Sequence, residues 1–186
     1  GGDVEVQSDF EGLILAKGKV TTTRSNLNLK SNMVLVGKLL ETAKNAVNVL
    51  AFKAEQADVN ISVKGEPVII KGNKRLLEEM IYNLCDNAVK YNRKGGKVVV
   101  SVEKCDGKPQ ICVADTGIGI PKEHQERIFE RFYRVDKART RKMGGSGLGL
   151  SIAKEILDRN QGTIDIKSVY GHGTEVVIRI PTKENK

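Results

Sequence analysis

Two stretches of the chain carry the pattern of a β-hairpin, and they constrain the fold more than any other feature. Lys97–Lys104 and Gln110–Ala114 are rich in strand-forming residues and flank Asp106-Gly107, a dipeptide suited to a two-residue turn. Thr163–Ser168 and Thr174–Ile180 repeat the pattern around Gly171 and Gly173. A hairpin joins antiparallel neighbours, whereas parallel neighbours need a long crossover. Two hairpins therefore argue against a doubly wound parallel sheet.

The remaining segments supply helices to cover such a sheet. Met33, Val36, Leu40, Ala43, Val47, Leu50, Ala54 and Ala57 recur at steps of three and four, which predicts an amphipathic helix from an N-cap near Ser31. Val59, Ile61 and Val63 alternate with polar residues as a half-buried strand does. Gly65-Glu66-Pro67 reads as a turn, and Val68-Ile69-Ile70 as another strand. Asn73 is placed to cap a helix running to about Tyr91, which Asn92 to Gly96 break. Residues 122–132 and 147–159 also read as helical. The expected fold class is α+β: a two-layer α/β sandwich with a mixed, mostly antiparallel sheet and about three main helices. Residues 1–26 lack such a pattern and read as a linker, or as the remnant of a dimerisation hairpin. The domain proper is expected over residues 27–186.

Composition narrows the function classes. The chain has 186 residues, enough for one domain and its core. It has no Trp and only 4% aromatics, so Leu, Ile and Val must do the packing. No apolar run is long enough to span a bilayer, and no secretory leader stands at the start, so a soluble cytoplasmic chain is expected. Cys85, Cys105 and Cys112 show no CxxC spacing, which supports neither a disulfide framework nor a zinc site. The net charge of +8 attracts polyanions in general. Its densest basic cluster is Arg131, Arg134, Lys137, Arg139, Arg141 and Lys142, just before a Gly-rich segment. That placement suggests a local anion, so no nucleic-acid partner is expected.

Four segments carry chemistry. On the helix after Asn73, the residues Glu79, Asn83, Asn87 and Lys90 are spaced by four, four and three and share one polar stripe. Amide oxygens can complete a Mg²⁺ shell shared with phosphate, and the Lys can neutralise a phosphate. An ordinary solvated face accounts for the spacing equally well. Asp115-Thr116-Gly117-Ile118-Gly119-Ile120-Pro121 follows a strand. Its glycines let a ligand ring approach the backbone, and its Asp can accept from an exocyclic amine; a plain strand-to-helix turn is the alternative. Arg127 to Arg134 interleaves Phe129, Phe132 and Tyr133 with arginines, as a helix end packed on the body or a cover over phosphate would. Gly145, Gly147 and Gly149 precede an apolar helix, where free amides make an anion site, although a flexible linker can look the same. Gly12 to Lys19 only imitates a phosphate-binding P-loop, since Val20 stands where the Mg²⁺-holding hydroxyl belongs.

Taken in order, these segments resemble the N, G1, F and G2 boxes of sensor histidine kinases. The matching stretches are Asn83 to Tyr91, Asp115 to Pro121, Arg127 to Arg134 and Gly145 to Leu150. The resemblance implies the catalytic, ATP-binding domain of a two-component kinase, with the Bergerat fold of the gyrase, chaperone and MutL ATPases. It implies ATP and Mg²⁺ as cofactors. Asn87 would bind the metal, with Asn83 and Lys90 assisting at the phosphates. Asp115 would recognise the adenine amine, with Thr174 in support, and Tyr91 would border the base. Gly117, Gly119 and Ile120 would complete the base side. Arg131 and Tyr133 would belong to an ATP lid of about residues 130–146, and Gly145, Gly147, Leu148, Gly149 and Leu150 would hinge it and meet the phosphates.

The resemblance stops at the acceptor. The only histidines in the sequence are His124 and His172, neither in an acceptor-like motif, and both are expected at the surface. The implied activity is therefore that of a protein-histidine kinase, a phosphotransferase, in its donor half. The implied partners are a histidine-bearing dimerisation domain, in a parent anchored to a membrane, and a downstream response regulator. A Ser/Thr kinase of the same fold, of the anti-sigma type, and an ATP-binding pseudoenzyme are the alternatives.

Overall fold

In a computed structural model that describes residues 4–6, 20–22, 35–135 and 147–181, the two expected hairpins supply four strands of a five-stranded sheet. The first joins β6 (Gly96–Cys105) to β7 (Lys108–Asp115), and Asp106 and Gly107 both take positive φ, of 50° and 73°. Two such residues in succession are the signature of the turn that matches strand twist. The second joins β8 (Thr163–Val169) to β9 (Gly173–Arg179). With β4 (Val59–Gly65) at one edge, the order is β4-β6-β7-β9-β8. Only the β4–β6 pair is parallel, so the sheet is mixed and mostly antiparallel, as expected.

Three helices cover one face. They are α1 (Leu39–Gln56), α2 (Lys74–Lys90) and α3 (Gly149–Arg159), and α2 packs between the other two. The layer between helices and sheet is aliphatic. Leu50, Leu77, Met80, Ile81 and Leu157 meet Val98, Val100, Val102, Ile111 and Ile178, all almost fully buried. No aromatic side chain is buried there among the described residues. Each such side chain contributes about 1.5–3 kcal/mol through removal from water.

Two boundaries differ from the expectation. The first helix starts at Leu39, because Leu35–Lys38 is a strand, β3, paired antiparallel with β5 (Ile69–Gly72). Lys38 is extended, and the Leu39 amide donates to the Val68 carbonyl at 2.8 Å. A strand lead-in thus does the work of a cap. Ser31 and Met33 lie outside the described residues. The 122–132 helix is reduced to a 3₁₀ turn at Lys122–His124 followed by further turns. There the Gln125 side chain donates to the carbonyls of Ile120 and Ser168, at 2.8 and 2.9 Å, and Phe132 takes a φ of 64°. Tertiary hydrogen bonds displace the helical ladder. By contrast, α2 follows the sequence closely: the Asn73 carboxamide oxygen accepts from the Leu76 amide, and the helix stops at Tyr91. The N-terminal residues contribute a short parallel pair, β1 (Val4–Val6) with β2 (Val20–Thr22). Among the described residues no helix is long and apolar enough to cross a membrane.

Candidate active site

The rotation of α2 that buries Leu77, Met80, Ile81, Leu84 and Ala88 presents Asn83, Asn87 and Lys90 to a cleft of ≈ 310 Å³. Glu79, on the same stripe, stays exposed and off the cleft. The opposite wall comes from the loop after β7, which contributes Asp115, Gly119, Ile120 and Pro121, and from Thr174 of β9. The cleft closes with Tyr133, Arg134 and Val135 and with Gly147, Gly149 and Leu150 at the start of α3.

One end of the cleft is apolar with a single carboxylate. Val113, Ile118, Ile166 and Val176 line it together with Asp115. The Asp115 carboxylate accepts from the Gly117 amide at 2.8 Å. Burial pushes its pKa above the usual carboxylate range, while the amides of Gly117 and Thr174 pull the other way. A half-buried acceptor at the end of an apolar slot suits a flat heterocycle bearing an amine.

The other end is basic. Burial lowers the Lys90 pKa; Asp86 opposes this, and Arg134 and Lys53 reinforce it. Lys53 of α1 is hydrogen-bonded to Asp86. An anion bound near Lys90 relieves its desolvation, which is why such a lysine favours phosphate over an empty site. The N-terminus of α3 arrives at the same place. Its Leu148 N-cap has no side-chain acceptor, and a Cβ on Gly149 would lie 3.6 Å from the Asn87 carboxamide nitrogen. First-turn amides and the helix dipole add a further attraction for negative charge.

Asn92, just past α2, fastens the two ends to each other. Its carboxamide nitrogen donates to the carbonyls of Ala88 and Lys97, both at 3.1 Å, and its oxygen accepts from the Arg93 amide at 3.0 Å and from the Thr116 hydroxyl at 3.4 Å. The Ile118 amide donates to the Tyr91 carbonyl at 3.0 Å. Gly119 explains the close turn that follows. Its φ is 67°, and a Cβ there would meet the Val169 carbonyl oxygen at 2.1 Å.

Of the residues named from the sequence, the cleft gathers Asn83, Asn87, Lys90, Tyr91, Asp115, Gly119, Ile120, Tyr133, Gly147, Gly149, Leu150 and Thr174. Gly117 and Leu148 are not among the residues that line it. Arg131 is turned away, 2.7 Å from Glu155 of α3 and two-thirds exposed. Gly145, Lys137, Arg139, Arg141 and Lys142 lie outside the described residues, as does the 136–146 part of the expected lid. His172 is exposed, as expected. His124 is not a plain surface residue: it is half-buried and its Nδ1 lies 2.6 Å from the Tyr133 hydroxyl. The apolar wall of Ile166, Val176 and Tyr170 was missed. Strand alternation marks Ile166 and Val176 as inward-facing, but not that the inner layer opens into a cleft at that end.

Residues 72–184 match the family described as histidine kinase-, DNA gyrase B-, and HSP90-like ATPase. The chain is 42% identical over 124 residues to the sensor histidine kinase YkoH of Bacillus subtilis (strain 168), covering 67% of this chain and 27% of that protein. It is 46% identical over 112 residues to the sensor histidine kinase WalK of the same organism, covering 59% of this chain and 18% of that protein. It thus spans well under a third of either relative. Among solved structures, a mycobacterial sensor histidine kinase, MprB, superposes with a TM-score of 0.70 at 27% identity, covering 80% of this chain and 97% of that one. Full-length ShkA in complex with AMPPNP superposes with a TM-score of 0.71 at 24% identity, over 80% of this chain and 31% of that one; this likeness is one of fold.

Proposed function

We propose, from the premise that this chain belongs to the family of histidine kinase-, DNA gyrase B- and HSP90-like ATPases, that it binds ATP with Mg²⁺ and donates the γ-phosphate to a histidine on a separate dimerisation domain. The observation that carries the reading is the polarity of the cleft: a buried-side carboxylate in an apolar slot at one end, and Lys90, Arg134 and the amide end of α3 at the other. An adenine nucleotide has the same two-ended chemistry.

The residues take these roles. Asp115 accepts from the adenine amine, with Thr174 beside it. Tyr91 borders the base. Gly119 and Ile120 give it a close backbone. Lys90 neutralises phosphate, and Asn83 assists. Asn87 suits a hard cation, because it lines the cleft and its carboxamide offers an oxygen ligand. Bound there, Mg²⁺ would supply charge neutralisation to the phosphate chain. The rest is positioning. The γ-phosphorus–oxygen bond breaks towards ADP while a bond forms to an imidazole nitrogen of the acceptor. A neutral imidazole needs no general base for attack. Residues 1–26 are assigned to the link with the acceptor domain. The parent is a cytoplasm-facing sensor that passes its phosphate to a response regulator.

The test supplies the chain in trans with the histidine-bearing domain of its parent, radiolabelled ATP and Mg²⁺. The expected product is acid-labile, base-stable label on the acceptor, rising with acceptor concentration because tethering is absent. Acid-stable label on Ser or Thr would favour the Ser/Thr kinase alternative. ATP binding without any transfer would favour the pseudoenzyme.

A further inference from the structure

His124 and Tyr133 join the loop wall of the cleft to the segment that closes it. His124 ends the 3₁₀ turn that follows Pro121, and Gln125 next to it is fastened to the carbonyls of Ile120 and Ser168. It therefore belongs to the loop side. Tyr133 lines the cleft within the closing segment. Its backbone is held where it begins: the neighbouring Phe132 amide donates to the Gly147 carbonyl at 3.0 Å, and Phe132 keeps a φ of 64°. An aromatic residue in the left-handed region is strained, and such strain persists only where the surroundings over-determine it. The ring is held too. The Arg127 guanidinium stands 4.3 Å from its centroid and is itself paired with Glu130 at 3.2 Å. The hydroxyl is held by His124 Nδ1 at 2.6 Å. An ordinary tyrosine at a cleft rim needs none of this.

The geometry points to His124 as a positioning residue for the nucleotide, acting through the Tyr133 hydroxyl. The inference rests on the ATP reading of the cleft. The chemistry follows from the donor inventory. When Nδ1 carries no hydrogen, the phenol donates to it and offers only lone pairs elsewhere. When Nδ1 carries a hydrogen, the imidazole donates to the phenol oxygen, and the phenol hydrogen is released to donate to an anion. A bound phosphate chain selects the second arrangement. His124 then sets both where the phenol stands and whether it is a donor toward the cleft.

Binding of ATP with Mg²⁺, by calorimetry, and the ring-nitrogen NMR spectrum of the histidines test this. His124→Leu and Tyr133→Phe should each weaken binding roughly three- to tenfold, the worth of one hydrogen bond. The double variant should be no weaker than either single one, since both remove the same interaction. His124→Asn places a carboxamide near the site of Nδ1 and should restore most of the affinity. Addition of ATP should shift His124 toward the Nδ1–H form and leave exposed His172 unmoved, with His172→Gln assigning the signals. Additive losses, no rescue by Asn, or an unchanged His124 signal in a protein that binds ATP would overturn this inference alone. A wild-type chain that binds no ATP would overturn the nucleotide reading, and this inference with it.

Discussion

Asp115→Asn separates recognition from stability in one substitution. The Asp115 carboxylate accepts from the Gly117 amide. Asn keeps an oxygen for that amide, so its NH₂ group must take the other position. A donor then faces the adenine amine, itself a donor. A hydrogen bond to a charged acceptor contributes roughly 1.5–3 kcal/mol, so ATP should bind roughly ten- to hundredfold more weakly. The fold should respond in the opposite sense. Burial raises the pKa of Asp115 in the native state, so the native chain holds this proton more tightly than the unfolded one. The favourable contribution of the group is present below the ordinary carboxylate pKa and is lost as pH rises through the native value. At neutral pH the ionised group opposes folding, and Asn does not. The nucleotide-free variant should therefore melt at or above the wild-type temperature at pH 7, and the difference should close in acid. Calorimetric titration with ATP and GTP, beside thermal melts at two pH values, reads both effects. Undiminished ATP affinity, or wild-type binding of GTP as tight as ATP, would refute the assignment of Asp115 to the base.

Asn87→Ala should abolish Mg²⁺-dependent ATP binding in titration while leaving the melt intact, since Ala is the better helix former. Gly119→Ala should lower the unfolding free energy, read from urea titration, by roughly 1–3 kcal/mol, because its φ of 67° and the Val169 carbonyl oxygen, 2.1 Å from where a Cβ would stand, both exclude a side chain; an unchanged urea midpoint would show that the loop relaxes freely. Burial pushes the Cys85 thiol up to about 12, whereas Cys105 is exposed, so alkylation near pH 8 followed by mass spectrometry should label Cys105 first and Cys85 only on unfolding.

Local signals were the legible ones. Asp106-Gly107 specified its turn because both residues tolerate positive φ, and Asn73 specified the start of α2 because its cap lies three residues away. The Asn83, Asn87 and Lys90 stripe was readable for the same reason: one helix fixes their mutual positions. What depended on distant partners was not. Val36 fits a helical period, yet its strand pairs with β5, far along the chain. Arg131 sits in a basic cluster, yet Glu155 captures it, and the two arginines on Glu155 hold that carboxylate below its usual range. The 122–132 segment has helical composition, but Gln125 and Phe132 answer to β8 and to Gly147. No period in a sequence announces a positive φ at an aromatic residue.

The Asn92 fastening has a consequence for selection by length. One carboxamide ties the last turn of α2 to β6 and to the loop after Asp115. Lys90 and Asp115 are therefore the jaws of a caliper whose gap is held by the Asn92 carboxamide together with the Ile118–Tyr91 backbone bond. A ligand that is to touch both jaws must match the gap. Adenosine reaches one jaw and leaves the other to water, and a free polyphosphate does the reverse. Neither gains from the second contact, whereas a molecule with base and phosphates at the right separation gains from both at once. On the proposed roles, loosening the caliper at Asn92 would blur the preference for whole nucleotides over their fragments without altering a single group that touches them.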